Sequence, residues 1–172
     1  MATTAHPKLR WHLDPDDATA IAEVHRRVFC ADYGFNPDFV VEVERDVRFC
    51  ASRGWPEAGA VWLVELAGRV AGSLAFTFEG QTSDGLYAGE LRWFALELEL
   101  RGSGLGRRML EELLETAEDQ GVDRLELDCC AECAGAGRLF DAYGFSVVSE
   151  RARPGWRRDG SAVVLQRRVA YL

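Results

Sequence analysis

Residues 60–99 constrain the fold more than any other stretch of the chain. AVWLVEL (60–66), VAGSLAFTFE (70–79) and GELRWFALELE (89–99) carry the apolar, β-branched and aromatic content of strands. Only Ala67-Gly68-Arg69 and the polar GQTSDG (80–85) stand out as breaks between them. Connections that short join antiparallel neighbours, because a parallel crossover needs a dozen or more residues. The stretch is therefore an antiparallel meander. It runs straight into ELRGSGLGRR (99–108), with three glycines at alternate positions, and then into the amphipathic segment MLEELLETAEDQG (109–121).

The remaining elements follow from period and punctuation. Leu9 to Leu13 reads as a short first strand. Asp14, Pro15 and Asp16 look like a helix start, with Ile21, Val24, His25 and Val28 on one face. Tyr33-Gly34 and Asn36-Pro37 interrupt that helix, and a second runs from about Asp38 to Ser52, ahead of the breaker Gly54-Trp55-Pro56. Past the glycines, Leu105, Met109, Leu110, Leu113, Leu114 and Ala117 form an apolar stripe, and Gly121 ends the helix. DRLELDCC (123–130) is a strand, Gly135 to Tyr143 a helix stopped by Gly144. FSVVSER (145–151) and SAVVLQRRV (161–169) are the closing strands. The expected fold class is α/β (α+β): one domain over 1–172, with a mixed, mainly antiparallel sheet of about six to seven strands and helices packed on it.

Composition removes several function classes. A chain of 172 residues that is 48% hydrophobic and 28% charged can build a proper core. Its net charge of −8 and pI near 4.9 argue against a nucleic-acid binder, which needs a basic face, and leave room for an amine. No apolar run approaches the roughly 18–20 residues of a membrane span, and MATTAHPKLRW has no apolar leader segment. No membrane partner and a cytoplasmic location are expected. The five cysteines, Cys30, Cys50, Cys129, Cys130 and Cys133, read as reduced thiols.

The glycines raise the question of an anion. A helix N-terminus flanked by arginine favours one, and glycine lets backbone approach it closely. A phosphate-binding loop of the nucleotide triphosphatases needs Lys-Ser or Lys-Thr after the glycines, whereas Gly106 is followed by Arg107 and Arg108. A dinucleotide fingerprint has the spacing GxGxxG inside repeated parallel units, whereas Gly102, Gly104 and Gly106 follow a meander. A close-packed strand-to-helix turn with exposed arginines is the bland alternative.

Arg101-Gly102-Ser103-Gly104-Leu105-Gly106 resembles the R/Q-x-x-G-x-G/A motif of the GNAT acyltransferases, the Gcn5-related N-acetyltransferases. WFALELELR (93–101) looks like that family's fourth strand, with Leu98 at the place of a frequent proline, and RLFDAYGF (138–145) resembles its second signature. The resemblance spans Leu9 to about Val169 and includes the element order. HRRVFCADYG (25–34) further resembles GNAT domains sometimes fused to MarR-type regulators, of which this chain would be the acetyltransferase domain alone.

The resemblance implies a fold, a co-substrate and a reaction. Acetyl-CoA would lie in a V-shaped gap between the fourth and fifth strands, with pantetheine paired to the backbone of Phe94, Ala95 and Leu96. The diphosphate would receive N–H groups from Gly102, Ser103, Gly104, Leu105, Gly106 and Arg107, with Arg101 and Arg107 adding charge. Arg108 reads as an exposed helix residue or a partner of the 3′-phosphate. An amine of a small molecule or peptide would attack the thioester directly, and pairing of such domains makes a homodimer an option. Glu90 matches the catalytic base of histone-type members; the alternative is a solvated strand-end carboxylate. The family's frequent acid tyrosine is Phe140 here, which leaves Tyr143, Cys133 or water to protonate the thiolate, and Tyr143 is named as the catalytic candidate. The same Phe140 motivates a second reading, a catalytically weak acyl-CoA-binding sensor.

Two remaining signals are set lower. CCxxC (129–133) supplies three thiols but no second pair at ligand spacing, so no metal is expected, and small core residues beside the cleft are the better account. Oxidation sensing stays open. His12 and His25 receive no role, Trp55, Trp62, Trp93 and Trp156 read as packing, and Tyr33, Phe35 and Trp156 border the acceptor site by family analogy.

Overall fold

The computed structural model describes residues 6–54, 57 and 59–172, so Trp55 and Pro56 of the expected breaker lie outside the described residues. Seven strands and four α-helices follow in the order β1 (Lys8–Arg10), α1 (Asp17–His25), α2 (Pro37–Ser52), β2 (Gly59–Leu66), β3 (Arg69–Gln81), β4 (Tyr87–Leu96), α3 (Leu105–Asp119), β5 (Arg124–Cys130), α4 (Ala134–Ala142), β6 (Ser146–Arg153) and β7 (Val163–Tyr171). The sheet order is β1-β2-β3-β4-β5-β7-β6. Every neighbouring pair is antiparallel except β4 with β5.

The meander is built as its sequence requires. Ala67 and Gly68, at φ of 51° and 79°, form the two-residue turn between β2 and β3, and a pair of positive φ values matches the twist of a hairpin. β3 is buried at consecutive positions from Val70 to Thr77, so both its faces are covered. α1 and α3 each pack on it. Ile21, Leu63, Leu74, Phe76, Leu110, Leu113 and Leu125 are fully enclosed in the resulting core. α2 opens with Pro37 at its first turn, and the Asn36 side chain accepts from Asp38 N at 2.9 Å and Phe39 N at 3.3 Å.

Three features depart from the expected plan, and all three bear on the site. α1 does not simply stop near Tyr33; it widens into a π-helical turn over Arg26–Cys30. β4 ends at Leu96, and Leu98–Leu100 is a short 3₁₀ turn instead of continued strand. The closing strands do not stack in chain order, because β7 inserts between β5 and β6.

Candidate functional site

The parallel contact of β4 with β5 is brief. Ala88, Gly89 and Glu90 pair with Arg124, Leu125 and Glu126, and beyond them the strands diverge. β4 bulges just past the divergence. Trp93 and Phe94 both fall between the pairs Ala75↔Arg92 and Ser73↔Ala95, so they oppose Leu74 alone. Trp93 takes φ of 51°, a costly conformation for a bulky residue, and the Ser73 hydroxyl fixes it by donating to the Trp93 carbonyl at 2.6 Å.

A cleft of about 530 Å³ opens in this gap. Phe94, Ala95 and Leu96 form one wall, Cys133, Ala136 and Leu139 line it from the start of α4, and Val28, Phe29 and Tyr33 close it from the π-helical turn and the loop after it. One end is made by Arg101, Gly102, Gly104, Gly106 and Arg107. Of the ten residues expected to hold the co-substrate, these five and the three of β4 line the cleft, while Ser103 and Leu105 do not. Ser103 instead supports the turn: its hydroxyl donates to the Leu100 carbonyl at 2.7 Å and accepts from Leu105 N at 3.4 Å.

The three glycines act in two ways. Gly102 and Gly104 have φ of 73° and 84°, where a side chain is strained, although a Cβ at either would meet nothing within 4 Å. Gly106 is helical, but a Cβ there would stand 3.2 Å from Leu96 Cδ1 and 3.3 Å from Phe94 Cζ, so it keeps α3 close to β4. The turn thus ends at a helix whose first N–H groups have no intrahelical acceptor. Arg101 is anchored at the mouth, donating through Nε to the Leu96 carbonyl and through Nη2 to Asp32, each at 2.8 Å. Arg108 faces outward in a 2.9 Å pair with Glu112.

A second cavity of about 210 Å³ adjoins the first. Phe29, Phe94, Cys133 and Ala136 line both, and so mark where the two meet. The second cavity is rich in aromatic side chains, with Phe35, Phe39, Trp93, Phe140 and Trp156 in its walls beside aliphatic residues and thiols. Its outer loops are pinned: Asn36 N donates to the Trp156 carbonyl at 2.7 Å, and Arg157 Nη1 donates to the Tyr33 carbonyl at 2.8 Å. Arg153 stacks over Trp156 at 4.9 Å and pairs with Glu42 at 2.9 Å.

Titratable groups at the junction are coupled. Burial and the neighbouring Cys133 push the Tyr33 hydroxyl up to about 12, so it keeps its proton. Hydrogen bonds from Cys130 and from Tyr33 hold the Cys133 thiol below its ordinary value, against the effect of burial. Its bond with Cys133, together with burial, drives Cys130 the other way, and burial raises Cys129 to about 12. All five cysteines are free and buried. Among the described residues, no group of three His, Cys, Asp or Glu side chains is arranged to hold a metal ion.

Neither expected proton-transfer residue is brought to these cavities. Glu90 lines neither one; it lies at the last position where β4 pairs with β5 and is held by Arg92 at 2.5 Å and Arg167 at 2.9 Å. Tyr143 also lines neither; its hydroxyl donates to Glu111 on α3, which keeps it protonated, and Arg107 lies close by. Phe140, at the place of the family's frequent tyrosine, packs 5.8 Å from Phe94 and 5.6 Å from Phe145. Sequence reading left Tyr33 as a pocket-shaping residue, and nothing in the local pattern around it shows that it meets Cys133. His25 received no role, although it lines the second cavity.

Comparison with known proteins agrees with this geometry. The model of the acetyltransferase (GNAT) family matches residues 18–145. A mycothiol acetyltransferase of Beutenbergia cavernae is 30% identical over 110 residues, which is 64% of this chain and 36% of that protein, so the chain spans about a third of that relative. The crystal structure of a ribosomal-protein-alanine N-acetyltransferase from Brucella melitensis aligns with TM-score 0.73 at 21% identity, covering 96% of this chain and 99% of that one. A structure from Salmonella typhimurium, described as a putative acetyltransferase with its cofactor acetyl-CoA, aligns with TM-score 0.72 at 22% identity, covering 96% and 94%. None of these three names mentions a MarR-type regulator. Among the described residues, no helix is long and apolar enough to cross a membrane.

Proposed function

The chain belongs to the GNAT family of acetyltransferases, and from that membership we propose that it moves the acetyl group of acetyl-CoA to a primary amine by direct attack. The observation that carries the reading is the junction of the two cavities at Phe29, Phe94, Cys133 and Ala136. A thioester held in the larger cleft would end there, and an amine in the smaller one would meet it. Phe94, Ala95 and Leu96 offer strand backbone to pantetheine, and the Arg101–Arg107 turn offers N–H groups and charge to the diphosphate. CoA supplies the activated acyl group; the chain orients it and handles protons.

The amine attacks as the free base, and the carbonyl oxygen becomes an oxyanion. The bulge at Trp93 and Phe94 removes one backbone amide from the β3 ladder beside the junction, which is the type of fixed donor such an oxyanion needs. As the C–S bond breaks, Tyr33 gives its proton to the departing sulfur and regains one from the nitrogen of the new amide. Tyr33 thereby takes the acid role that Phe140 lacks and that Tyr143, bonded to Glu111, is turned away from. Glu90 acts at one remove, holding Arg92 in the wall of the acceptor cavity.

The name of the Beutenbergia relative concerns mycothiol, and the acceptor is not carried over from a protein matched over a third of its length. The test is to incubate the protein with acetyl-CoA and a panel of amines while following free thiol. Amine-dependent thiol release supports transfer. CoA binding with no release on any amine overturns it in favour of an acyl-CoA sensor.

A further inference from the structure

The smaller cavity defines its occupant more closely than the family does. Resting on the proposed acetyl transfer, we propose that the acceptor is a small amine built on one aromatic ring, and that His25 selects acceptors whose ring bears a hydrogen-bond donor such as a hydroxyl.

Size comes first. About 210 Å³ compares with roughly 150 Å³ for a protein cavity that holds benzene, so one ring fits with about two further non-hydrogen atoms, and the rest of a short side chain carries the amine into the junction with the larger cleft. A peptide backbone or a polyamine does not fit in that space. The walls then favour an arene. On the helix side Phe35 and Phe39 meet edge-on at 4.9 Å, and Phe39 meets Trp156 edge-on at 5.0 Å. Trp93 and Phe94 of β4 line the same cavity. Offset and edge-on contacts of this kind favour another aromatic ring over an aliphatic chain of equal size.

Charge in the cavity is already spent. Arg151 lines it and pairs with Asp128 at 2.6 Å, and Arg92 is held by Glu90 at 2.5 Å and by Thr77 at 2.9 Å. Among the described lining residues no free carboxylate is left to receive a second cationic group on the acceptor, which again disfavours polyamines.

Beside the thiols of Cys129, Cys130 and Cys133, His25 is the polar side chain that remains among the described lining residues. It is 3% exposed, and Nδ1 stands 2.8 Å from the Ile21 carbonyl. A carbonyl only accepts, so Nδ1 carries the proton. Burial lowers the ring to about 4, which keeps it neutral. Nε2 is then a bare acceptor, and the bond to Ile21 is the one hydrogen bond the ring makes among the described residues. The ring lines the acceptor cavity and not the CoA cleft, so on this proposal its unpaired nitrogen serves the body of the acceptor, not the thioester. An unpaired acceptor atom that a bound ligand shuts off from water favours a donor on that ligand and discriminates against one that leaves it unpaired.

The experiment measures kcat/KM at saturating acetyl-CoA for phenethylamine, its para-hydroxy derivative, butylamine and a lysine-containing tripeptide, on the wild type and on His25→Phe, with CoA-induced thermal stabilisation recorded for both. The expected order puts the hydroxylated arene first, about tenfold or more above phenethylamine, with butylamine and the peptide below both. His25→Phe removes the hydroxyl advantage, bringing the kcat/KM ratio of the hydroxylated arene to phenethylamine to about one, while CoA stabilisation persists. Because the wild-type ranking needs no variant, poor folding of His25→Phe leaves the test standing, and Trp156→Leu, in a half-exposed loop, should raise KM for both arenes. Butylamine or the peptide matching the arenes, no arene turned over, or a hydroxyl advantage that survives His25→Phe overturns the acceptor assignment. Loss of CoA stabilisation in the wild type overturns the acetyl-transfer reading instead.

Discussion

Replacing Gly104 and Gly106 by alanine, one at a time, separates backbone conformation from packing at the proposed diphosphate site. Gly104 has φ of 84° and ψ of −4°, and its Cβ would enter open cleft space. Alanine in a left-handed conformation costs about 1–2 kcal/mol, which lowers Tm by roughly 2–8 °C for a domain of this size. The methyl group also occupies space that the diphosphate would fill. A loss of about tenfold in affinity would reduce the stabilisation from CoA, supplied at about a hundred times the wild-type Kd, from ~2.7 to ~1.4 kcal/mol. Gly106 behaves differently. Alanine there gains about 1 kcal/mol of helix propensity and must displace Leu96 Cδ1 and Phe94 Cζ, at 3.2 and 3.3 Å, by a few tenths of an ångström. These effects nearly cancel, so the ligand-free Tm should stay within about 3 °C of wild type. The CoA-induced shift should still fall, since the displaced side chains form the cleft wall. Thermal melts with and without CoA read both quantities. An unchanged melt and an unchanged CoA shift for Gly104→Ala would refute the assignment of the turn, and a Gly106→Ala melt far below that of Gly104→Ala would refute the separation.

Three other substitutions probe the proton path and the framework. Tyr33→Phe should lower kcat by about a hundredfold or more while leaving CoA-induced stabilisation intact; normal single-turnover rates would exclude Tyr33 as the acid. Glu90→Gln should lower activity by the same factor at every pH, because the carboxylate works through Arg92; a loss confined to low pH would restore it as the base. Glu97, buried and bonded at 2.5 Å to both Arg27 and Arg69, titrates below the ordinary carboxylate value because the two arginines outweigh burial. A depressed carboxyl contributes stability above its unfolded value and loses it as pH falls through the folded one. Glu97→Gln should therefore cost about 1–2 kcal/mol at pH 7, with the gap to wild type closing in acid during urea melts; a gap that persists below pH 3 would show that the pair is not its source.

Much of the framework was legible from local pattern. The meander, the strand-to-helix glycine turn and the stripe of α3 each depend on residues within about two turns or one hairpin of each other. The insertion of β7 between β5 and β6 carried no such mark, because sheet order is set by contacts between residues far apart in the chain. The bulge at Trp93 was equally hidden; a tryptophan with positive φ violates local preference and exists only because Ser73 and the surrounding core fix it. The site divided along the same line. Phe94, Ala95, Leu96 and the glycine turn belong to one continuous motif, and they line one cleft. Tyr33 meets Cys133 from a hundred residues away in the chain, and Glu90 meets Arg167 across two strands, so no spacing rule relates them.

The brief contact between β4 and β5 has a mechanical consequence. The two halves of the sheet are joined there through three residue pairs, and at the last of them Glu90 lies opposite Glu126, with Arg167 of β7 bonded to both carboxylates. That cluster clamps the closed end of the wedge. Beyond it β4 continues to Leu96 paired with β3 and no longer with β5, so roughly 20 Å of its other edge, at ~3.3 Å per residue, is open to the cleft. The carboxylate that sequence marked for chemistry stands at the point where the wedge closes.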